Sequence, residues 1–266
     1  MPNKITSVTN PRIKTIVHLR DSHKRKKKNC ILVEGYREVC CALEAKVVLR
    51  EIYLCPELLD DSQKSRIDKI KSSLNTPVYE TTRKVFSQIS YGERLEGILA
   101  VGEPPQHSFD EFKSKKDFLF IVVEGVEKPG NLGAILRTCD GAGVDGIIVC
   151  DNQTDIYNPN VIRSSLGTIF SKKVIKSSPE DAFQFLKSNN VKICATLPQA
   201  QKIYTQANLV GSLAIVVGSE HAGLSDFWIR HADECVRIPM IGKADSLNVS
   251  ASTAILIYET IRQRTN

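Results

Sequence analysis

The sequence lacks several patterns that would assign it to a specialised class. No apolar run in its 266 residues approaches the roughly 18 uncharged residues that a membrane helix needs. The first residues, MPNKITSVTNPRIK, have no apolar core of the kind found in a secretory signal. The eight cysteines form no CxxC pair, and most have apolar neighbours. We therefore expect a cytoplasmic protein with reduced, mostly structural thiols, and neither disulfides nor a zinc site.

Two nucleotide-binding signatures are also missing or misplaced. No Walker A sequence is present, and the one GxGxxG pattern consists of Gly141, Gly143 and Gly146. It follows a predicted helix and precedes a predicted strand, whereas a dinucleotide fingerprint follows a strand and opens a helix. We expect these glycines to form a helix C-cap and a turn. A Rossmann-type oxidoreductase is the least favoured enzyme class.

The positive charge is concentrated in the first part of the chain. Residues 1–105 hold 19 Lys and Arg against 13 Asp and Glu, whereas residues 106–266 hold 17 of each. A basic region joined to a neutral one is typical of a protein that holds a polyanion with one part and performs chemistry with the other. A solvated helix end is the other interpretation of its densest basic run, which comprises Lys24, Arg25, Lys26, Lys27 and Lys28.

Alternating segments predict α/β structure in both parts of the chain. A basic helix over NPRIKTIVHLRDSHKRKKK, with Asn10 as its N-cap and Pro11 at its first position, precedes four strands that alternate with three helices. This pattern predicts a small α/β sandwich. The stretch PPQHSFDEFKSKKD, residues 104–117, is polar and proline-led and predicts a linker at 106–117. The remainder starts with the apolar run FLFIVVEGV and predicts a mostly parallel sheet with helices on both faces.

Three strand ends in the second part carry small or polar residues. After the first strand, NLGAILRTCDGAG places Asn131 at a helix start, where an amide caps free backbone N–H groups, and Arg137 lies off the apolar helix face. A second apolar strand runs into Gly218, Ser219 and Glu220 in IVVGSEHAGLS. The third stretch, IPMIGKADSLNVSAS, is more polar than helix capping requires. A capped helix or a turn explains each stretch alone, but ligands bind at the carboxyl ends of parallel strands, so together they predict one pocket.

Together, NLGAILRTCDGAG, VVGSEHAGLS and IPMIGKADSLNVSAS resemble, in order and spacing, the three signature motifs of the SpoU (TrmH-type) branch of the SPOUT RNA ribose 2′-O-methyltransferases. The resemblance covers residues 118–266 and is strongest to the ribosomal-RNA members. The segment ILVEGYREVCCAL is similar to the ribosomal-protein-like RNA-binding domain that precedes the catalytic domain in those members, although GERLEGILAV departs from their Pro-Gln-Gly form. The resemblance implies an RNA-binding domain at 1–105, a linker at 106–117 and a methyltransferase domain at 118–266.

The resemblance implies a deep trefoil knot in the second domain in place of an ordinary doubly wound sheet. It also implies a homodimer whose active sites are completed across the interface. The cofactor is S-adenosylmethionine, bound in the knot, and no metal is implied. By motif match, the cofactor-binding residues are Thr196, Leu197, Gly218, Ser219, Glu220, Ile238, Pro239, Met240, Ser246, Leu247 and Asn248.

The resemblance also assigns roles at the reaction centre. Arg137 is the catalytic arginine, either as the base that activates the ribose hydroxyl or as the group that holds the target phosphate and stabilises oxyanion charge. A guanidinium group ordinarily keeps its proton, which makes the first role difficult. Asn131 positions Arg137 or the ribose, and Glu220 orients the arginine by a charge-assisted hydrogen bond. Ser246 and Asn248 complete the polar cradle.

The leading hypothesis is an S-adenosylmethionine-dependent RNA 2′-O-ribose methyltransferase that acts on 23S ribosomal RNA. The alternatives are a transfer-RNA methyltransferase of the same branch and a non-catalytic, RNA-binding ribosome-assembly factor with the same fold. In addition to the basic run, Arg163 is a candidate to bind an RNA phosphate or to contribute to the partner subunit's active site. Neither DNA nor a membrane is an expected partner. The target nucleotide is not legible in the sequence, because RNA is recognised by shape and by unpaired bases.

Overall fold

A computed structural model describes residues 3–73, 76–92, 95–112, 116–151 and 154–265. The chain divides into two compact units. Met1–Pro105 and Ile156–Ser171 form the first unit, and Gln106–Asp155 and Lys172–Asn266 form the second. Among the described helices, none combines the length and the hydropathy needed to cross a membrane. All eight cysteines lie in the described ranges, and each is a free thiol.

A mixed sheet forms the centre of the first unit. In spatial order, its strands in the described residues are β1 (Asn3–Ile5), β4 (Val78–Thr81), β3 (Leu49–Leu54), β5 (Ile98–Gly102) and β2 (Ile31–Glu34). β5 is antiparallel to both of its neighbours, and the other pairs are parallel. The helices of this unit are α1 (Pro11–His18), α2 (Ser22–Lys27), α3 (Tyr36–Glu44), α4 (Asp61–Ser73), α5 (Arg83–Ile89) and α7 (Pro159–Ser164).

The predicted start of the first helix is confirmed, but its predicted length is wrong. The side chain of Asn10 accepts a hydrogen bond from the backbone N–H of Arg12 at 2.9 Å, and Pro11 occupies the first turn. The helix ends at His18 because Asp21 starts a second one, accepting hydrogen bonds from the backbone N–H groups of residues 23 and 24. An internal N-cap therefore divides the predicted helix in two.

Arg25 requires a correction to the predicted RNA-binding run. Its side chain is only 2% exposed, and Nη1 donates to the carbonyl oxygens of Leu19 and Arg20, each at 2.8 Å. Arg25 thus satisfies backbone carbonyl groups at the turn between α1 and α2 and is not available to a nucleic acid. Its lysine neighbours are exposed, so the run offers only Lys24, Lys26, Lys27 and Lys28.

The predicted mostly parallel sheet is confirmed in the second unit. In spatial order, its strands in the described residues are β10 (Lys202–Ile203), β12 (Glu234–Arg237), β9 (Lys192–Thr196), β11 (Leu213–Val217), β6 (Leu119–Glu124), β7 (Gly146–Cys150) and β8 (Lys173–Ser177). Every neighbouring pair is parallel. The helices are α6 (Pro129–Gly141), α8 (Pro179–Ser188), α9 (Asp226–His231) and α10 (Val249–Thr265).

The core of this sheet explains why β6 is apolar from Leu119 to Val123. Phe120 and Val122 of β6 share one buried cluster with Leu186 of α8 and Trp228 of α9. Alternate residues of a strand point to the opposite face, so the intervening residues of β6 are buried from the other side. α10 packs against α6 and β11. The short elements β1, β10 and α9 were not predicted, and the trefoil knot stays a prediction.

Residues 106–112 of the predicted linker belong to the second unit. The Phe109 ring stacks on Phe185 at 4.3 Å, and the Phe112 ring meets Phe120 edge-on at 4.9 Å. These two phenylalanines outweigh the polar, proline-led composition from which the linker was predicted. Residues 113–115 of that segment lie outside the described residues. The glycines of the GxGxxG pattern form the predicted helix end and turn. Gly141 ends α6, Gly143 has a φ of +67° and Gly146 starts β7.

The segment Ile156–Ser171 groups with the first unit, which the predicted boundaries did not anticipate. Its helix α7 packs against β2, and Arg163 forms an ion pair with Glu96 at 3.5 Å. The guanidinium also lies directly over Gly92, where a Cβ atom would be 1.7 Å from Nη1. Arg163 was predicted to contact RNA phosphate or the partner's site, but here a carboxylate of its own chain engages it.

Arg264 fixes the end of α10 to the amino edge of the second sheet. Nη1 donates to the Asp117 carbonyl oxygen at 3.1 Å, and Nη2 donates to those of Phe118, at 2.9 Å, and Gly211. These carbonyl groups precede β6 and β11, and burial lowers the pKa of Arg264. One side chain therefore joins the last helix to the starts of two central strands.

Replacing Arg264 with Ala is expected to destabilise the protein by about 3 kcal/mol, because several part-buried carbonyl groups lose a charged donor. The measurement is chemical denaturation of both proteins. The matched control is Arg230→Ala, since Arg230 is 75% exposed and pairs with Asp226 along α9. Such a surface pair contributes only about 0.3–0.5 kcal/mol. Equal effects of the two substitutions would contradict the role given to Arg264.

Candidate active site

A cavity of about 590 Å³ lies at the carboxyl ends of β9, β11 and β12. Its walls come from residues that directly follow these strands and from the segment before α10. Parallel strands present their carboxyl ends at one edge, which is where such sheets bind ligands. Nine of the predicted cofactor-binding residues line the cavity: Thr196, Leu197, Gly218, Ser219, Glu220, Ile238, Met240, Ser246 and Leu247. As far as the described residues define its wall, Pro239 and Asn248 are not part of it.

A second, smaller cavity of about 250 Å³ adjoins the first. It is lined by the residues that lead into α6, including Glu127, Lys128 and Asn131, and by part of the loop after β11. The two cavities share one wall, formed by Ser219, Glu220, His221 and Val249. The predicted single pocket is thus two adjoining cavities, and Asn131 belongs to the smaller one.

The shared wall depends on a tight loop between Gly218 and Gly223. Ser219 and Gly223 exchange backbone hydrogen bonds in both directions at 3.1 Å, and Ser219 Oγ accepts from the N–H of Ala222 at 2.9 Å. A Cβ atom at Gly218 would lie 2.2 Å from the carbonyl carbon and oxygen of Gly223. Only glycine permits this close approach of two backbone segments.

A hydrogen-bonded cluster occupies the border of the two cavities. Lys128 Nζ forms an ion pair with Glu220 Oε2 at 2.8 Å. Asn248 Nδ2 donates to Glu220 Oε1 at 2.5 Å and to Asn131 Oδ1 at 3.1 Å. The cluster therefore brings together the start of α6, the loop after β11 and the segment before α10.

The amide of Asn248 has a defined orientation. Its Oδ1 accepts hydrogen bonds from the backbone N–H of Ser250 at 2.9 Å and from the Ser250 hydroxyl at 2.6 Å. A backbone N–H only donates, so the atom that it contacts is the amide oxygen. The amide nitrogen must then face Glu220 and Asn131. Asn248 thus caps α10 and, with its other end, orients the cluster.

The charges of the cluster are mutually stabilising. The hydrogen bond from Lys128 is the main cause that lowers the pKa of Glu220, and the same contact raises the pKa of Lys128. Glu220 is therefore a carboxylate at neutral pH, where both of its oxygens only accept hydrogen bonds. A carboxylate and an amide side by side are suited to orienting a sugar hydroxyl group.

The predicted hydrogen bond between Glu220 and Arg137 is not formed within one protomer. Arg137 is exposed, and among the described residues it has no ion-pair or hydrogen-bond partner and lines neither cavity. It lies six residues beyond Asn131, which on an α-helix is about 9 Å along the axis and on a different face. Lys128 takes the place beside Glu220 that the sequence assigned to Arg137.

Among the residues of this site that sequence reasoning missed are Lys128, His221, Val249 and Ser250. The only signal for Lys128 was its position directly before Pro129 at the start of α6. Ser250 stands two residues after a capping asparagine, a spacing that capping geometry favours. His221 and Val249 carry no recognisable signal, because only the folded chain places them between the cavities.

The second unit is thus an α/β domain built to bind a ligand. Its cavity lies at the carboxyl edge of a parallel sheet, and a carboxylate–amide cluster lies beside that cavity. Residues 118–258 match the model of the SpoU rRNA Methylase family. This match covers more than half of the chain, which therefore belongs to that family. Residues 10–100 match the MRM3-like substrate binding domain.

Relatives and solved structures agree with this assignment. The chain is 29% identical over 257 residues to the 23S rRNA (guanosine(2553)-2′-O)-methyltransferase RlmP of Bacillus subtilis (strain 168), covering 96% of this chain and 98% of that protein. An RNA 2′-O ribose methyltransferase crystal structure has a TM-score of 0.86 at 37% identity and covers 99% of this chain and 100% of that one. The AdoMet-bound rRNA methyltransferase of Sinorhizobium meliloti has a TM-score of 0.89 at 26% identity, with 98% and 97% covered.

Gly218→Ala is expected to lower stability by about 1–3 kcal/mol, because the new methyl group forces the two backbone segments of the loop apart. Thermal unfolding gives the comparison. Gly130→Ala is the control, since a Cβ atom at Gly130 has no neighbour within 4 Å. An alanine tolerated equally well at both positions would show that the loop is not constrained as described.

Proposed function

We propose that this protein is an S-adenosylmethionine-dependent RNA 2′-O-ribose methyltransferase that acts on 23S ribosomal RNA in the cytoplasm. The observation that carries the proposal is the shared wall between a cofactor-sized cavity and a smaller polar one. Methyl transfer needs a donor and an acceptor aligned at contact distance. Two adjoining cavities of unequal size meet that requirement, and the RlmP relative named above acts on this RNA.

The residues of the larger cavity fit S-adenosylmethionine. Its volume lies in the range of small-molecule sites, and Leu197, Ile238 and Met240 offer an apolar surface to a purine. Thr196 Oγ1 is buried and, within the described residues, has no hydrogen-bond partner, so a polar group of a ligand would satisfy it. The bound cofactor supplies an electrophilic methyl group.

The cluster beside the cavity serves the acceptor. Glu220 offers carboxylate oxygens to a ribose hydroxyl, while Asn248 donates both to that carboxylate and to Asn131. A hydroxyl is a weak nucleophile until its proton is drawn away, so an oriented acceptor lowers the barrier to attack. Ser246, in the wall of the larger cavity, completes the polar surface between the two.

We propose that the protein forms a homodimer and that Arg137 acts in the active site of the partner protomer. On its own protomer the side chain is exposed and outside both cavities, which is the placement expected of a group that acts in the site of a second copy. There a guanidinium would bind the target phosphate or stabilise developing oxyanion charge bidentately. Because Arg137 is exposed on its own protomer, its guanidinium group stays hydrated until a second protomer binds.

The first test is transfer of labelled methyl groups from S-adenosylmethionine to bacterial RNA lacking its natural modification. We expect label in a 2′-O-methyl nucleoside of 23S RNA, and a loss of at least about a hundredfold in Arg137→Ala with unchanged cofactor affinity. Label in transfer RNA would favour the sister methylase. RNA binding without any transfer would favour the assembly factor.

A mixing experiment tests the placement of Arg137. Arg137→Ala protomers keep an intact cavity, whereas Glu220→Ala protomers keep the arginine, so each homodimer is expected to be inactive. Random exchange of subunits would restore about a quarter of the wild-type sites if the arginine acts across the interface. Mixtures that stay inactive, although exchange is shown by mass spectrometry, would place Arg137 within its own protomer's site.

The four exposed lysines of the basic run in the first unit are proposed to bind RNA phosphates. Changing Lys24, Lys26, Lys27 and Lys28 together to Gln is expected to weaken RNA binding and to reduce the salt slope of log K by about 3. Cofactor affinity should stay unchanged. The matched control replaces the same four residues with Arg, which preserves charge. An unaltered salt slope in the Gln variant would remove this run from the RNA-binding surface.

A further inference from the structure

Lys128 is a charged residue of the site to which no role follows from the sequence motifs. It precedes α6 and lines the smaller cavity, with its ammonium group on Glu220. We propose that Lys128 is a positioning residue, which holds Glu220 in the orientation that it needs to receive the acceptor ribose. This inference rests on the proposed function and deepens it.

The two oxygens of Glu220 are held from different elements. Oε2 contacts Lys128 at 2.8 Å, and Oε1 accepts from Asn248 Nδ2 at 2.5 Å. Two anchors on different atoms fix the plane of a carboxylate, whereas one anchor leaves it free to rotate. The Asn248 amide is itself held by Ser250, and the Asn131 side chain and the Val249 backbone also hydrogen-bond the carboxylate. Lys128 adds the charged restraint, and its hydrogen bond is the first cause of the lowered pKa of Glu220.

The backbone of Lys128 is in place to provide that restraint. Its carbonyl oxygen accepts from the N–H groups of Asn131 at 3.0 Å and Leu132 at 3.4 Å, so the first turn of α6 fixes the residue. Its side chain is 73% exposed, and an exposed ion pair contributes little to stability. Lys128 can therefore be changed without unfolding the protein, and the effect should appear in the site.

Other charged and titratable groups face the same cavity as Lys128. Glu127 and His221 line the same cavity as Glu220, and α10 contributes an apolar residue, Val249, to this wall. Lys128 is the one cationic Lys or Arg side chain in the described lining of this cavity. Without it, Glu220 would lose its ion-pair partner in this cavity, and a carboxylate without a nearby opposite charge holds its proton to a higher pH.

The sign of the pH effect follows from this arrangement. The contact with Lys128 lowers the pKa of Glu220, so the ionised carboxylate persists as the pH falls. Removing the ammonium group raises that pKa, and the ionised form is then lost at a higher pH. The acidic limb of the pH–activity profile should move upward in the same direction.

The experiment compares Lys128→Met, Lys128→Arg and Lys187→Met. Lys187 is a matched control, because it forms an ion pair with Asp233 at 2.6 Å and is not among the described residues lining either cavity. In carbon-13 NMR of the cofactor-free protein, the Glu220 carboxyl should titrate at higher pH in Lys128→Met only. Lys128→Arg should restore the wild-type titration, and thermal unfolding should be equal in all variants.

Kinetics provide the second readout. We expect kcat of Lys128→Met to fall about tenfold, a loss equivalent to one hydrogen bond to a charged group, with the KM for RNA unchanged and recovery in Lys128→Arg. An unmoved Glu220 titration would overturn the proposal. So would weaker RNA binding with a smaller salt slope at unchanged kcat, which would make Lys128 a phosphate contact. An inactive wild-type enzyme would refute the proposed function instead, and the titration would then decide alone whether Lys128 governs Glu220.

Discussion

The candidate site depends on one side-chain amide, that of Asn248, because both of its ends are committed. The oxygen caps α10 through Ser250, and the nitrogen bridges Glu220 and Asn131. Reversing this amide would leave the helix start uncapped and would set an oxygen against a carboxylate. The need to cap α10 thus fixes the orientation of the Asn248 amide, and through it the contact of that amide with the Glu220 carboxylate.

The remaining geometry follows from the parallel sheet. β9, β11 and β12 end at one edge, so short segments after each strand are enough to enclose a cavity. The segment after β11 must turn tightly, and Gly218 allows it to do so by accepting backbone contact where a side chain would clash. This turn presents both Ser219 and Glu220 to the two cavities. Rigid strands therefore position the loop, and the loop positions the reactive groups.

Patterns that are local in sequence were predicted well, and those that depend on distant contacts were not. Asn10 and Pro11 mark a helix start whatever the rest of the chain does, and the regular alternation in the second part leads directly to the parallel sheet. Burial of Arg25 was not predictable, because its partners are carbonyl groups exposed only when α1 ends early. Phe109 and Phe112 likewise look like linker residues until Phe185 and Phe120 are known to be their neighbours.

Motif resemblance named residues that the fold brings together beside the cavities, but it did not predict all of their contacts. Asn131, Glu220 and Asn248 come together as three sequence segments meet, whereas Arg137 points away on another face of α6. The reason is geometric: a motif records which residue types recur, and it does not say on which subunit or beside which partner each one acts. Lys128 shows the converse, since a surface lysine with no motif signal supplies the charge beside Glu220. The carboxylate at the border of the two cavities is paired with a cation from the residue directly before α6, a contact that only the folded chain reveals.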